Sequence, residues 1–140
     1  MSAMKYLLFF LLTLFSATSW AEDPPASTEP AKPKFAYFGF DPDIVTNYVT
    51  TGQKGLGYVR VTMELMIADE ALLPIIEHHE PLILDAIVSE FGKEPETTIK
   101  SLTGREEIRL KILKRLNELL KKETGAEAVK DVLFTKYLYQ

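Results

Sequence analysis

Glu77-His78-His79-Glu80 is the one stretch of the chain that gathers metal-ligand residue types. Two imidazoles and two carboxylates would suit zinc, but successive residues on a helix point about 100° apart. The two histidines therefore cannot share an ion without a third element, and the chain has no His-Glu-x-x-His spacing. His79 falls on an apolar stripe and reads as a hydrogen-bonded core or interface histidine, with His78 in solvent. Two carboxylate pairs, Glu106-Glu107 and Glu94 with Glu96, are the candidates for acid–base chemistry. Each pair opens a helix, where the backbone dipole favours acids whatever the function. Gly52-Gln-Lys-Gly55 is a weak candidate for an anion-holding turn. A Walker loop, a dinucleotide glycine fingerprint and a G-x-S-x-G elbow are absent from the sequence. Cysteine is absent too, which excludes a thiol nucleophile and a zinc–thiolate site. The expectation is a protein with no catalytic residue, no cofactor and no metal centre.

The elements that would position such groups show in the periodicity. Aromatic-rich Phe35–Phe40 ends at Asp41-Pro42, and β-branched Ile44–Thr50 suits a short edge strand. Tyr58–Ala68 alternates, with Val59, Val61, Met63, Leu65 and Ile67 expected inward and Arg60, Thr62 and Glu64 outward. A helical stripe follows through Leu72, Ile76, His79, Ile83 and Ile87, with a kink or break expected near Glu80 because of Pro81. Glu94-Pro95-Glu96 starts a short helical turn to Ser101. Thr103 and Glu106 form a capping box for a long helix that ends near Glu123, before Gly125. Its core stripe is Ile108, Ile112, Leu116, Leu119 and Leu120, and Arg109 also falls within that apolar arc. Asp131–Gln140 alternates again, with Val132, Phe134 and Leu138 on one face and Leu133, Thr135, Tyr137 and Tyr139 on the other. Phe134 is expected in the core, and Gln140 inside or beside it. Together these segments predict an α+β fold: a single small sheet with helices packed on one face, in the order strand-strand-helix-helix-helix-strand.

The N-terminal region points to export. Lys5 precedes an apolar run, Tyr6–Phe15, and small Ser19 and Ala21 flank Trp20, which is the pattern of a secretory signal peptide over 1–21. The alternative is a short membrane anchor, although a spanning helix needs about 20 apolar residues. Residues 22–34 form a proline-rich linker without large apolar side chains, and 35–140 remain as one domain with one core. A net charge of −4 over 140 residues argues against general binding to phosphate backbones, so no nucleic-acid partner is expected.

The order of several residues resembles the FliL family of flagellar basal-body proteins. Asp41-Pro42 and Asn47 precede the Tyr58-Val-Arg-Val strand; Pro81, Asp85, Ile87 and Val88 sit in the first helical region. Gly104 and Asn117 mark the long helix, and Val132, Phe134, Thr135 and Gln140 fit the family's last strand. The resemblance covers roughly Phe38–Gln140. It implies a periplasmic domain similar to the stomatin (SPFH-type) fold, without catalytic motifs, at the outer face of the inner membrane. It also implies a homo-oligomer near the membrane that assembles beside flagellar stator and basal-body proteins and supports motility. A cleavable start departs from the family's usual membrane-spanning helix.

A partner-contacting strap is the corresponding site, the alternative being that its four aromatic residues simply complete the sheet. Phe35, Tyr37, Phe38 and Phe40 lie where the linker meets the domain, and aromatic side chains dominate contact energetics. Arg109 is the fifth candidate. A periplasmic adaptor or small-ligand module unconnected with the flagellum, with its ligand under the kinked helix, is the alternative function.

Overall fold

In the computed structural model, which describes residues 32–52 and 55–140, one twelve-residue strand organises the rest. Two short strands lead to it: β1 (Ala36–Gly39) and β2 (Ile44–Val49). The long strand is β3 (Leu56–Ile67), and its alternation is strict. Val59, Val61, Met63, Leu65 and Ile67 are fully buried, while the intervening side chains point the other way. The last strand is β4 (Val129–Tyr139). The four strands pair antiparallel throughout. β2 lies along the first half of β3 and β1 along its last four residues, so the two share one edge. β4 takes the other edge. Pro33–Gln140 form one compact unit, entered through Lys34, whose carbonyl accepts from the Glu70 amide and whose ammonium pairs with the Glu70 carboxylate.

The chain then turns through a single 3-10 turn, Glu70–Leu72, into four helices: α1 (Leu73–His78), α2 (Glu80–Lys93), α3 (Glu96–Lys100) and α4 (Leu102–Thr124). Pro81 separates α1 from α2. Without an N–H it cannot continue a helix, but it fits the first turn of a new one, so the break falls at His79. Ile76, Ile83, Ile87 and Phe91 from the first pair, and Ile108, Ile112, Leu116 and Leu120 from α4, are fully buried with the inward side chains of β3. Leu72 and Leu119 are only partly buried against that core. α2 packs on β2, α4 on β4, and the two helices on each other, so one layer of helices covers one face of the sheet.

Three expectations need correction. The order is three strands, four helices and a strand, because Phe35–Phe40 and Ile44–Thr50 contribute separate strands ahead of the long one. The long helix is capped by Ser101 in place of Thr103: the Ser101 hydroxyl accepts from the Gly104 amide at 2.8 Å. A side chain at Gly104 would collide with the Thr98 carbonyl, so this close start depends on glycine. Glu106 meanwhile is committed to Arg109.

The third correction concerns β4. Thr62 pairs with Lys136 and Met63 with Phe134, which leaves Thr135 as a bulge. One extra residue exchanges the faces of everything beyond it. Tyr137 and Tyr139 therefore turn to the side of Val61 and Val59, while Leu138 pairs with Arg60 on the opposite side. Phe134 packs against the core but is only partly buried. At the end of the strand, Gln140 exchanges both backbone hydrogen bonds with Tyr58, at 2.9 and 3.1 Å.

Candidate functional site

The sheet face turned away from the helices is uncovered among the described residues. Cross-strand neighbours share a face, so the register fixes which side chains occupy it. Val45, Arg60 and Leu138 form one row across three strands, and Glu64 lies between Gly39 and Leu133 in another. Val49 pairs with Leu56 and Tyr37 with Met66; Tyr58 lies on the same face. Tyr37, Val45, Val49, Leu56, Tyr58 and Leu138 are each at least half exposed. Scattered exposed apolar side chains are ordinary, but this many on one face make a patch.

A charged cluster fixes the middle of that face. The Thr62 hydroxyl and the Arg60 guanidinium each donate to Asp43, both at 2.8 Å. Those two hydrogen bonds, the Thr62 one first, hold the Asp43 carboxyl below its ordinary range. Asp43 thus stays a carboxylate and keeps Arg60 lying along the sheet beside Val45 and Leu138.

The structure divides the aromatic strap. Phe40 is buried and Phe38 packs against the core, the two rings meeting edge-on at 5.3 Å between centroids. These two candidates complete the core and are withdrawn as contact residues. Phe35 and Tyr37 are exposed, at 44% and 55%, with Tyr37 on the open face. Alternation about β1 makes the division, since Phe38 pairs with inward Leu65 and Tyr37 with outward Met66. Arg109 lies elsewhere, on α4, where Glu106 and Asp131 both bind its guanidinium. Hydrogen bonding by Glu106 is the main reason that its proton is held more tightly than usual.

The residues considered for chemistry stay apart. His79 sits at the break between α1 and α2, with Nδ1 2.8 Å from the Ile75 carbonyl, a geometry that has Nδ1 donating. His78 is exposed, and its ring meets that of His79 edge-on at 5.0 Å. Among the described residues, no group of three or more His, Asp or Glu side chains could hold a metal ion. Glu94 is buried and paired with Lys111 at 2.6 Å, whereas Glu96 pairs with Lys100. The proposed anion turn falls partly outside the described residues. Sequence reasoning missed Val45, Leu56, Tyr58 and Leu138 as surface candidates. The first three could have been found as the apolar outward positions of alternating strands; Leu138 could not, because the bulge moves it.

A small antiparallel sheet with helices on one side and an open apolar and charged face on the other defines a compact α+β domain that presents a sheet surface. Residues 37–140 match the profile of the family described as flagellar basal body-associated protein FliL. The chain belongs to that family. It is similar to the flagellar protein FliL of Aquifex aeolicus (strain VF5), with 30% identity over 103 residues, 74% of this chain. The match spans 60% of that relative's length. No helix among the described residues is long and apolar enough to cross a membrane.

Proposed function

We propose that this domain is a non-enzymatic support for the flagellar stator, acting from the periplasm at the outer face of the inner membrane. Membership of a basal-body family supplies the context. The observation that carries the reading is the uncovered sheet face, with Tyr37, Tyr58 and Leu138 arranged around the Arg60–Asp43 pair. A rigid sheet bearing exposed aromatics suits a protein contact, because such side chains bring large area at little entropic cost. Self-association beside the stator follows if the face meets a different surface of a neighbouring copy, since heterologous contacts are those that close into rings. A stomatin-like arrangement of copies is part of the same proposal.

The small-ligand alternative has less support. The cleft between the Phe40–Val45 segment and α2, lined by Pro42, Leu84 and Val88, encloses about 180 Å³. Ligand pockets generally run from about 300 Å³ upward. The hollows that reach this size among the described residues, about 400 Å³ beside Gly57 and Lys100 and about 450 Å³ beside Val49 and Gly92, are open to solvent. The experiment is complementation of a deletion strain, with swimming scored in media of graded viscosity. Tyr58→Lys and Leu138→Lys are expected to fold normally yet lose swimming at high viscosity. Full swimming by both variants, or by the deletion strain itself, would overturn the proposal. Cysteine at Tyr37 should crosslink to a second copy or a stator subunit in the same cells.

A further inference from the structure

The second exposed feature lies along the outer edge of β4. Gln140 exchanges both its backbone bonds with Tyr58, and Ala68 donates to the Ala128 carbonyl, so these two residues face β3. Alternation, corrected for the bulges at Thr135 and Lys130, turns the backbone groups of Val129, Val132 and Phe134 outward. The first of these are closed off. The Asn117 side-chain amide on α4 takes both the N–H and the carbonyl of Val129, at 3.0 and 2.7 Å. Asp131 takes the Val132 N–H at 2.8 Å. The Val132 carbonyl and both backbone groups of Phe134 follow, at an edge that no other strand pairs among the described residues.

That open stretch borders a groove of about 280 Å³ between the start of α4 and β4. Leu102 stands on its rim at 79% exposure, the most exposed large apolar side chain among the described residues. Leu133 and Phe134 form the strand wall. Arg105 supplies the charge. Its guanidinium is stacked 4.4 Å from the centre of the Tyr137 ring, and its Nε is buried without a hydrogen-bond partner. Arg109 is already bound by both Glu106 and Asp131, so among the described residues Arg105 is the groove's one cation without an ion pair. A guanidinium with no ion pair sits beside a strand edge, which is a ready template for pairing.

We propose that this groove receives an extended peptide segment of a partner protein, which adds to β4 at Val132–Phe134, seats an apolar side chain against Leu102 and Phe134, and places a carboxylate on Arg105. Main-chain bonds supply the affinity of such strand addition, and the side-chain sites supply its selectivity. A charge-assisted bond to Arg105 selects an acidic peptide. The site does not depend on the open-face reading, because none of its residues lies among Tyr37, Tyr58 and Leu138.

The test uses isotope-labelled full-length protein and a short capped peptide of alternating valine and threonine carrying one leucine and one glutamate. Its twin has glutamine for glutamate. NMR should show the glutamate peptide shifting the Arg105 guanidinium and Phe134 amide signals, with the glutamine twin binding about tenfold more weakly. Arg105→Gln should erase the difference between the twins, and Leu102→Glu, at an exposed position that folding tolerates, should weaken both. Equal binding of the twins to the unaltered protein would overturn the proposal. So would shifts confined to the open face, or Phe134 shifts that appear with protein concentration alone and so report a second copy on the edge.

Discussion

The ring of Tyr48 lies across Gly57, at a position where any β-carbon on residue 57 would overlap it, and its hydroxyl reaches the Gln140 carbonyl at 3.0 Å. One side chain from β2 thus crosses β3 and ties down the end of β4. Gly57→Ala should push the ring from its fully buried site and cost about 1–3 kcal/mol, the usual range for overpacking. Tyr48→Phe, which keeps the ring and loses the bond, should cost about 1 kcal/mol. Urea melts of the two variants check this, and a larger loss for Tyr48→Phe would reverse the account.

Helix capping separates two neighbouring hydroxyls. Ser101→Ala removes the acceptor for the Gly104 amide and should cost about 1 kcal/mol. Thr103→Ala, in the first turn of α4 and exposed, should be nearly neutral. Thermal melts should rank the two in that order.

Two contacting rings should differ in the same way. Phe91 is fully buried and touches Phe134 at 6.1 Å between centroids, whereas Phe134 is only partly buried. Phe91→Ala should cost about 3–5 kcal/mol, and Phe134→Ala closer to about 2 kcal/mol. Chemical denaturation of each variant against the parent decides the ranking.

Tyr137 should titrate late. Burial is the main cause that raises its phenol to about 12, and its hydroxyl donates to the Ile99 carbonyl at 3.1 Å. A raised value means that the folded state holds the proton more tightly. The associated stability is complete below the ordinary value of 10.0 and is lost as pH rises from there through about 12. Ultraviolet titration should show a phenol ionising near pH 12, and Tyr137→Phe should remove that step.

Much of the architecture was legible from alternation and helical spacing. The inward set of β3 and the main apolar stripes of α2 and α4 follow from local rules, because each repeats many times within one element. Two misreadings arose where a single residue outweighed the pattern. Thr135 adds one position to β4 and so exchanges Tyr137 with Leu138, and nothing in the local residue types announces a bulge. Ser101 outcompetes Thr103 because Gly104 permits a close approach to Thr98, a tertiary circumstance. The candidate site was half legible. Tyr37 is exposed, but Phe38 and Phe40 enter the core because each belongs to an inward position. Leu102 and Arg105 form a groove only with Phe134, distant in sequence, so no local motif could reveal it.

The placement of β4 also sets an order of events in synthesis. Val59 pairs with Tyr139 and Leu65 with Val132, so every helix is made between the central strand and the strand on its second edge. Until Tyr139 has left the ribosome, one whole flank of β3 stands bare, and the helices have only part of a sheet to settle on. Contacts so distant along the chain slow folding and leave incomplete chains prone to wrong pairing. A nascent chain paused within α4 therefore leaves one edge of β3 unpaired, and the sheet closes only when β4 is delivered.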